Sequence, residues 1–201
     1  MNYTVQVVNI DEKNIILNMI DVYNKAFLAR KNSYNKNPFT KVEPTKFYEA
    51  LKSAKKEVVV AIENGKVIGG LCFQIKQIVN SNQMCYISDV CVAPEAQGKG
   101  VAKAMLNFVI EQAKNKKCDF LELVVGGIWG NTVRLYKGLG FVPVKISAHL
   151  PQTYYLIGMR KFLGKSNWLS IKFSYFISRL KFSLLFKKDS SPKFLHKLIF
   201  R

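Results

Sequence analysis

The chain has 201 residues, 49% of them hydrophobic and 22% charged, and 31 Lys and Arg against 13 Asp and Glu give a net charge of +18. Such a length holds one ordinary domain with a small appendage and excludes two full domains, while the composition supplies a core and excludes wholesale disorder. No apolar run approaches the roughly eighteen residues of a spanning helix, and Met1 to Asp11 lacks the profile of a signal peptide, so a cytoplasmic protein is expected.

Tyr3 to Asn9 alternates Val with polar residues and is expected to be a strand. Asp11 to Arg30 places Ile15, Ile16, Met19, Ile20, Tyr23, Phe27 and Leu28 at helical spacing, with Asp11 as N-cap. A loop over Lys31 to Lys41 leads to a second helix, Pro44 to Lys55, with Pro at its first position. Glu57 to Glu63 is a β-branched run; Asn64-Gly65 signals a tight hairpin, and Val67 to Ile78 returns as a strand. Strands over Gln83 to Val92 and Phe120 to Val125 flank a helix over Val101 to Asn115. Asn131 to Gly138 is a short helix, and Phe141 to Ser147 and Tyr154 to Lys161 are the last strands. This order predicts an α/β fold: a mixed central sheet with flanking helices.

The charge is unevenly spread. From Arg160 to Arg201 there are eleven basic residues and one acid, Asp189, a net +10 that leaves +8 for the rest of the chain. The composition break predicts a domain over residues 1–162 and a basic, aromatic-rich extension over 163–201. The four cysteines (Cys72, Cys85, Cys91, Cys118) form no CxxC pair and no metal-ligand spacing with His149 or His196. Buried free thiols and no metal are expected.

The stretch richest in chemistry is Val90-Cys91-Val92-Ala93-Pro94-Glu95-Ala96-Gln97-Gly98-Lys99-Gly100-Val101-Ala102. A buried strand runs into a turn, and a Gly-Lys-Gly loop then opens a helix. A helix start carries unpaired N–H groups and partial positive charge, which suits an anion. The glycines let backbone approach a phosphate, and Lys99 adds charge. Neither the nucleotide-triphosphate loop nor the dinucleotide fingerprint fits, because the residues after the second glycine differ. A plain glycine-punctuated turn is the alternative reading.

These residues resemble the GNAT family of N-acetyltransferases, whose signature is an apolar strand, Val-x-Pro, then Gln/Arg-x-x-Gly-x-Gly/Ala at a helix start. Gln97, Gly98, Lys99, Gly100, Val101 and Ala102 fill that turn, and Asn131, Leu135, Tyr136, Gly140 and Phe141 fit the family's second motif. Asn131 stands two residues nearer Tyr136 than in the family pattern, and Arg134 occupies a place usually held by a small residue. The resemblance implies a sheet in which two parallel strands splay and acetyl-CoA lies in the cleft, its pyrophosphate on the Gln97 to Ala102 loop. Its pantetheine arm would pair with backbone at Val90, Cys91 and Val92. The implied reaction is direct attack of an amine on the thioester, with Tyr136 protonating the departing thiolate. As a core aromatic on a short helix, Tyr136 has a plainer alternative.

A carboxylate in an apolar strand must be paired, at an edge or functional, because burying it alone is costly. Asp89, in Ser88-Asp89-Val90, is a candidate base or substrate-orienting group, and Glu122, in Leu121-Glu122-Leu123, a second candidate base. His149 has a suitable ordinary pKa but no motif behind it, and water-relayed deprotonation stays open. The expected partner is a small-molecule or peptide amine. A noncatalytic acyl-CoA-binding or membrane-associated scaffold, or an O-acyl or longer-chain acyltransferase, is the rival reading. The extension mixes basic residues with Trp168, Leu169, Phe173, Phe176, Leu180 and Leu184. It suits docking on its own domain, on a second copy in a homodimer, or on an anionic membrane surface. No DNA-reading module argues for nucleic acid.

Overall fold

The computed structural model describes residues 2–29, 40–78, 83–126, 130–149, 154–164 and 176. The basic extension lies almost wholly outside them. Among the described residues, seven strands and four helices make the expected mixed α/β sheet fold. The chain divides into two compact units, Met1–Leu121 and Glu122–Arg201.

In the first unit β1 (Tyr3–Val8), β2 (Glu57–Glu63), β3 (Lys66–Gln77) and β4 (Gln83–Val92) lie in chain order, each antiparallel to the next. The β2–β3 turn is Asn64-Gly65, with φ 50° and 74°. Positive φ at both residues is the backbone that two-residue hairpins require. Helix α1 (Lys13–Leu28) has Glu12 as its N-cap, one residue later than the expected Asp11. The cause is a turn ahead of it: Asn9 Oδ1 accepts from the Asp11 amide at 3.0 Å, and Glu12 Oε1 accepts from the Asn9 amide at 3.0 Å. Helix α2 (Pro44–Ser53) is capped by Glu43, whose carboxylate accepts from the amides of Lys46 (2.6 Å) and Thr45 (2.9 Å). Those two bonds, Lys46 first, hold its carboxyl below the usual range. Asn24, buried in α1, donates to the Val42 carbonyl and accepts from the Val42 amide, and so fixes the approach to α2.

Helix α3 (Val101–Asn115) buries Val101, Met105, Leu106, Val109, Ile110 and Ala113, one helical face. Two adjacent glycines in β3 set the packing. A Cβ on Gly70 would lie 2.2 Å from Met19 Cγ of α1; one on Gly69 would lie 3.0 Å from Val101 Cγ1 of α3. Neighbouring strand residues face opposite sides, so α1 and α3 both close on β3 at backbone range, one from each face.

The second unit holds β5 (Phe120–Gly126) from Glu122 onward, α4 (Gly130–Gly138), β6 (Val142–His149) and β7 (Tyr154–Phe162), with β7 between β5 and β6. β6 and β7 are antiparallel. Helix α4 ends at a turn where Gly140 has φ 84°. There Lys161 Nζ donates to the Leu139 carbonyl at 2.8 Å, satisfying an acceptor the helix leaves open.

Candidate active site

β4 does not run straight to its end. Cys72 of β3 pairs with Ser88, but Gly70 pairs with Cys91, so two residues of β4, Asp89 and Val90, stand opposite the single residue Leu71. That is a β-bulge. Asp89 carries it with φ 58°, a left-handed conformation that Asp tolerates better than most residues. One extra residue exchanges faces: beyond the bulge the odd-numbered Cys91 takes the side that the even-numbered Ser88 held before it.

The Asp89 carboxylate is engaged. Its Oδ2 accepts from Lys56 Nζ at 2.9 Å and from Ser88 Oγ at 2.6 Å, and Lys56 Nζ also donates to Ser88 Oγ at 3.0 Å. Both charged side chains are mostly shielded, 22% and 17% exposed. The Cys72 thiol lies beside them, pushed well up first by burial and then by the Asp89 charge.

Past the bulge, Val90 to Val92 lead to Ala93, whose amide donates to the Ile68 carbonyl at 2.9 Å. A single 3-10 turn, Pro94–Ala96, follows. Gln97 folds back, its Nε2 donating to the Val92 carbonyl at 3.2 Å. Gly98 and Gly100 both have positive φ, 80° and 79°. A Cβ on Gly98 would meet nothing within 4 Å, so conformation alone demands glycine there. Gly100 is the N-cap of α3, and the first bond of the helix runs from the Ala104 amide to the Gly100 carbonyl. The amides of Val101, Ala102 and Lys103 therefore have no acceptor within the helix. Gln97, Gly98, Lys99 and Gly100 are exposed, Val101 is buried and Ala102 half-buried. The turn presents donors and one lysine to solvent, and can hold an anion such as a pyrophosphate.

In the second unit, Glu122 sits between the buried Leu121 and Leu123 and accepts from Arg160 Nε at 2.5 Å. Asn131, near the start of α4, is exposed and accepts from Arg134 through its side-chain oxygen. Tyr136 is 5% exposed, its ring 5.9 Å from that of Phe141, and its carbonyl accepts from the Phe141 amide at 3.0 Å.

The first unit thus joins Asp89, Val90, Cys91 and Val92 to Gln97, Gly98, Lys99, Gly100, Val101 and Ala102 on one continuous strand–turn–helix. The second carries Glu122, Asn131 and Tyr136 at three separate points. Sequence reading missed Lys56 and Arg160, the cations that pair the two carboxylates. Lys56 lies 33 residues from Asp89 and Arg160 lies 38 from Glu122, so local pattern carries no trace of either.

With this fold and this turn the molecule is of the acyltransferase class. Residues 19–141 match the model of the acetyltransferase (GNAT) family. The chain belongs to that family and is an N-acetyltransferase with acetyl-CoA as its acetyl donor. It is 27% identical over 133 residues to an N-acetyltransferase of Methanocaldococcus jannaschii, a match spanning 64% of this chain and 59% of that one. It is 28% identical over 155 residues to the L-methionine sulfoximine/L-methionine sulfone acetyltransferase of Salmonella typhimurium, spanning 76% of this chain and 83% of that one. Among solved structures, an acetyltransferase from Salmonella typhimurium with its cofactor acetyl-CoA shares the fold, with a TM-score of 0.64 and 22% identity over 83% of this chain and 96% of that one.

Proposed function

We propose that the protein acetylates the amine of a small, amino-acid-like acceptor, and that the strand–turn–helix from Asp89 to Ala102 seats the donor. The observation that carries the donor half is the pair of left-handed glycines at the start of α3, beside three amides that lack helical partners. The pyrophosphate of acetyl-CoA rests on the Gln97 to Ala102 turn, with Lys99 adding charge, and the pantetheine arm pairs with backbone at Val90 to Val92. Asn131 supports the donor from α4. The acceptor class is supported by the relative that acetylates L-methionine sulfoximine and L-methionine sulfone.

In this reading the amine nitrogen attacks the thioester carbonyl, the carbon–sulfur bond breaks, and the phenol of Tyr136 gives its proton to the thiolate as it leaves. Glu122 receives the proton shed by the amine, directly or through water. Asp89 is placed in the orienting role, because its Oδ2 already accepts from an ammonium and a hydroxyl that hold the carboxylate against the bulge. The test is CoA release across a panel of L-amino acids, methionine sulfoximine and sulfone, polyamines, amino sugars and peptides. Turnover is expected on the amino acids and their analogues; turnover confined to polyamines or amino sugars overturns the acceptor assignment.

The basic extension beyond residue 163 is proposed to rest on an anionic leaflet at the cytoplasmic side. Its support is nine basic residues against one acid over residues 163–201, a net +8, since each basic residue near such a surface contributes about 1 kcal/mol. No helix among the described residues is long and apolar enough to cross a membrane. The full chain should sediment with anionic vesicles at low salt, less at high salt, and hardly with neutral ones. Equal binding to neutral and anionic vesicles would count against an electrostatic anchor.

A further inference from the structure

The Lys56–Asp89 pair joins two strained points of the first unit. Helix α2 closes with Lys55 at φ 51°, the Lys55 amide donating to the Lys52 carbonyl at 3.0 Å and the Lys56 amide to the Leu51 carbonyl at 3.1 Å. These two bonds form the Schellman pattern, with a lysine where glycine is usual. Gln74 of β3 ties the same helix end, its Nε2 donating to the Ala54 carbonyl at 2.7 Å. The backbone that carries Lys56 is therefore held on both sides. From that fixed base its ammonium reaches the second strained residue, Asp89, at the bulge of β4.

A bulge leaves its residues outside the regular ladder, so something else must hold them. Here Oδ2 of Asp89 takes both Lys56 and Ser88, and Ser88 is the last residue of β4 in register with β3 before the slip. Lys56 bonds both members of that step, and the first residues past it are Val90 to Val92. An ion pair this shielded is costly to break from one side, because the remaining charge stays partly buried.

We infer that Lys56 is a positioning residue, which grips Asp89 to fix the β4 bulge and so sets the backbone of Val90 to Val92 for the arm of acetyl-CoA. The inference rests on the proposed seating of the donor along β4. Lys56 is given no contact with donor or acceptor and acts through the step that it bonds, Ser88 and Asp89.

The experiment compares the full-length protein with Lys56→Met, which keeps the aliphatic stem and removes the ammonium, and with Lys56→Arg, Asp89→Asn and the Lys56→Met/Asp89→Asn double variant. Hydrogen exchange without donor reads the bulge itself: the amides of Asp89 to Val92 should exchange faster in Lys56→Met, while those of β1 and β2 keep their wild-type rates. Calorimetry with acetyl-CoA reads the consequence: affinity should fall about tenfold in Lys56→Met, as small misplacements of binding groups do. Lys56→Arg should restore most of it, and the double variant should lose clearly less than the sum of the two single losses. Unchanged exchange at Asp89 to Val92 in folded Lys56→Met overturns the inference, as do losses that simply add in the double variant. If Lys56→Met and Lys56→Arg both fail to fold, the pair is a requirement of the fold and the positioning role is likewise overturned. Faster exchange at the bulge with acetyl-CoA affinity unchanged would instead leave the grip standing and displace the proposed seating of the donor.

Discussion

Tyr136→Phe should lower kcat about 10²-fold while leaving the affinity for acetyl-CoA close to that of the unaltered protein. The substitution removes a single oxygen. The ring that remains keeps its place 5.9 Å from Phe141, and the backbone bond between the two residues does not involve the side chain. A thermal melt of the variant beside the unaltered protein separates loss of proton donation from any loss of fold. A thiolate leaves poorly unless it is protonated as it forms, and a positioned acid contributes about 10²- to 10⁴-fold to such a step. The low end applies here because water can replace a phenol in part. Steady-state rates of CoA release on the true acceptor, paired with calorimetric binding of acetyl-CoA, separate the two quantities. An unchanged kcat would return Tyr136 to the role of a core aromatic.

The second large effect is expected at the start of α3. Gly100→Asp should weaken acetyl-CoA binding by roughly 10²-fold, about 2.8 kcal/mol, and Gly100→Asn by much less. The pair separates two causes. Gly100 has φ 79°. Asp and Asn tolerate that backbone about equally, so both variants carry the same strain. Only Asp sets a negative charge beside the amides of Val101, Ala102 and Lys103, where the pyrophosphate is proposed to rest. If a folded Gly100→Asp variant bound acetyl-CoA as tightly as Gly100→Asn does, the anion would have to sit elsewhere.

How much of this was legible in the sequence follows from how local each cause is. Asn64-Gly65 announced its hairpin because positive φ at two successive residues selects for these side chains. Gly98 and Gly100 announced the turn into α3 for a related reason. The limits of β2, β4 and α3 were readable because β-branched runs, Pro94 and the helical spacing from Val101 to Ala113 are all written within a few residues. The bulge was not. Asp89 accepts a left-handed backbone without demanding it, so nothing between Gln83 and Val92 marks where the alternation slips. The consequence for the candidate site was direct: two carboxylates in apolar strands were visible as anomalies, but their cations, Lys56 and Arg160, arrive from distant parts of the chain. Fold and donor turn are thus local features, whereas the state of each carboxylate is set by tertiary contact.

The buried thiols have a practical consequence for measuring this enzyme. Cys72, Cys85, Cys91 and Cys118 are all buried; desolvation pushes Cys72 well up, Cys85 to about 12 and Cys118 upward as well. Disulfide exchange and alkylation proceed through the thiolate and need access to the sulfur. Near neutral pH, then, the folded protein offers chromogenic thiol reagents little to react with. Each turnover, in contrast, frees one molecule of CoA with an accessible thiol. A continuous colorimetric assay should start from a flat baseline, and a signal that climbs with the enzyme alone, before acetyl-CoA and amine are added, reports loss of the native fold rather than catalysis.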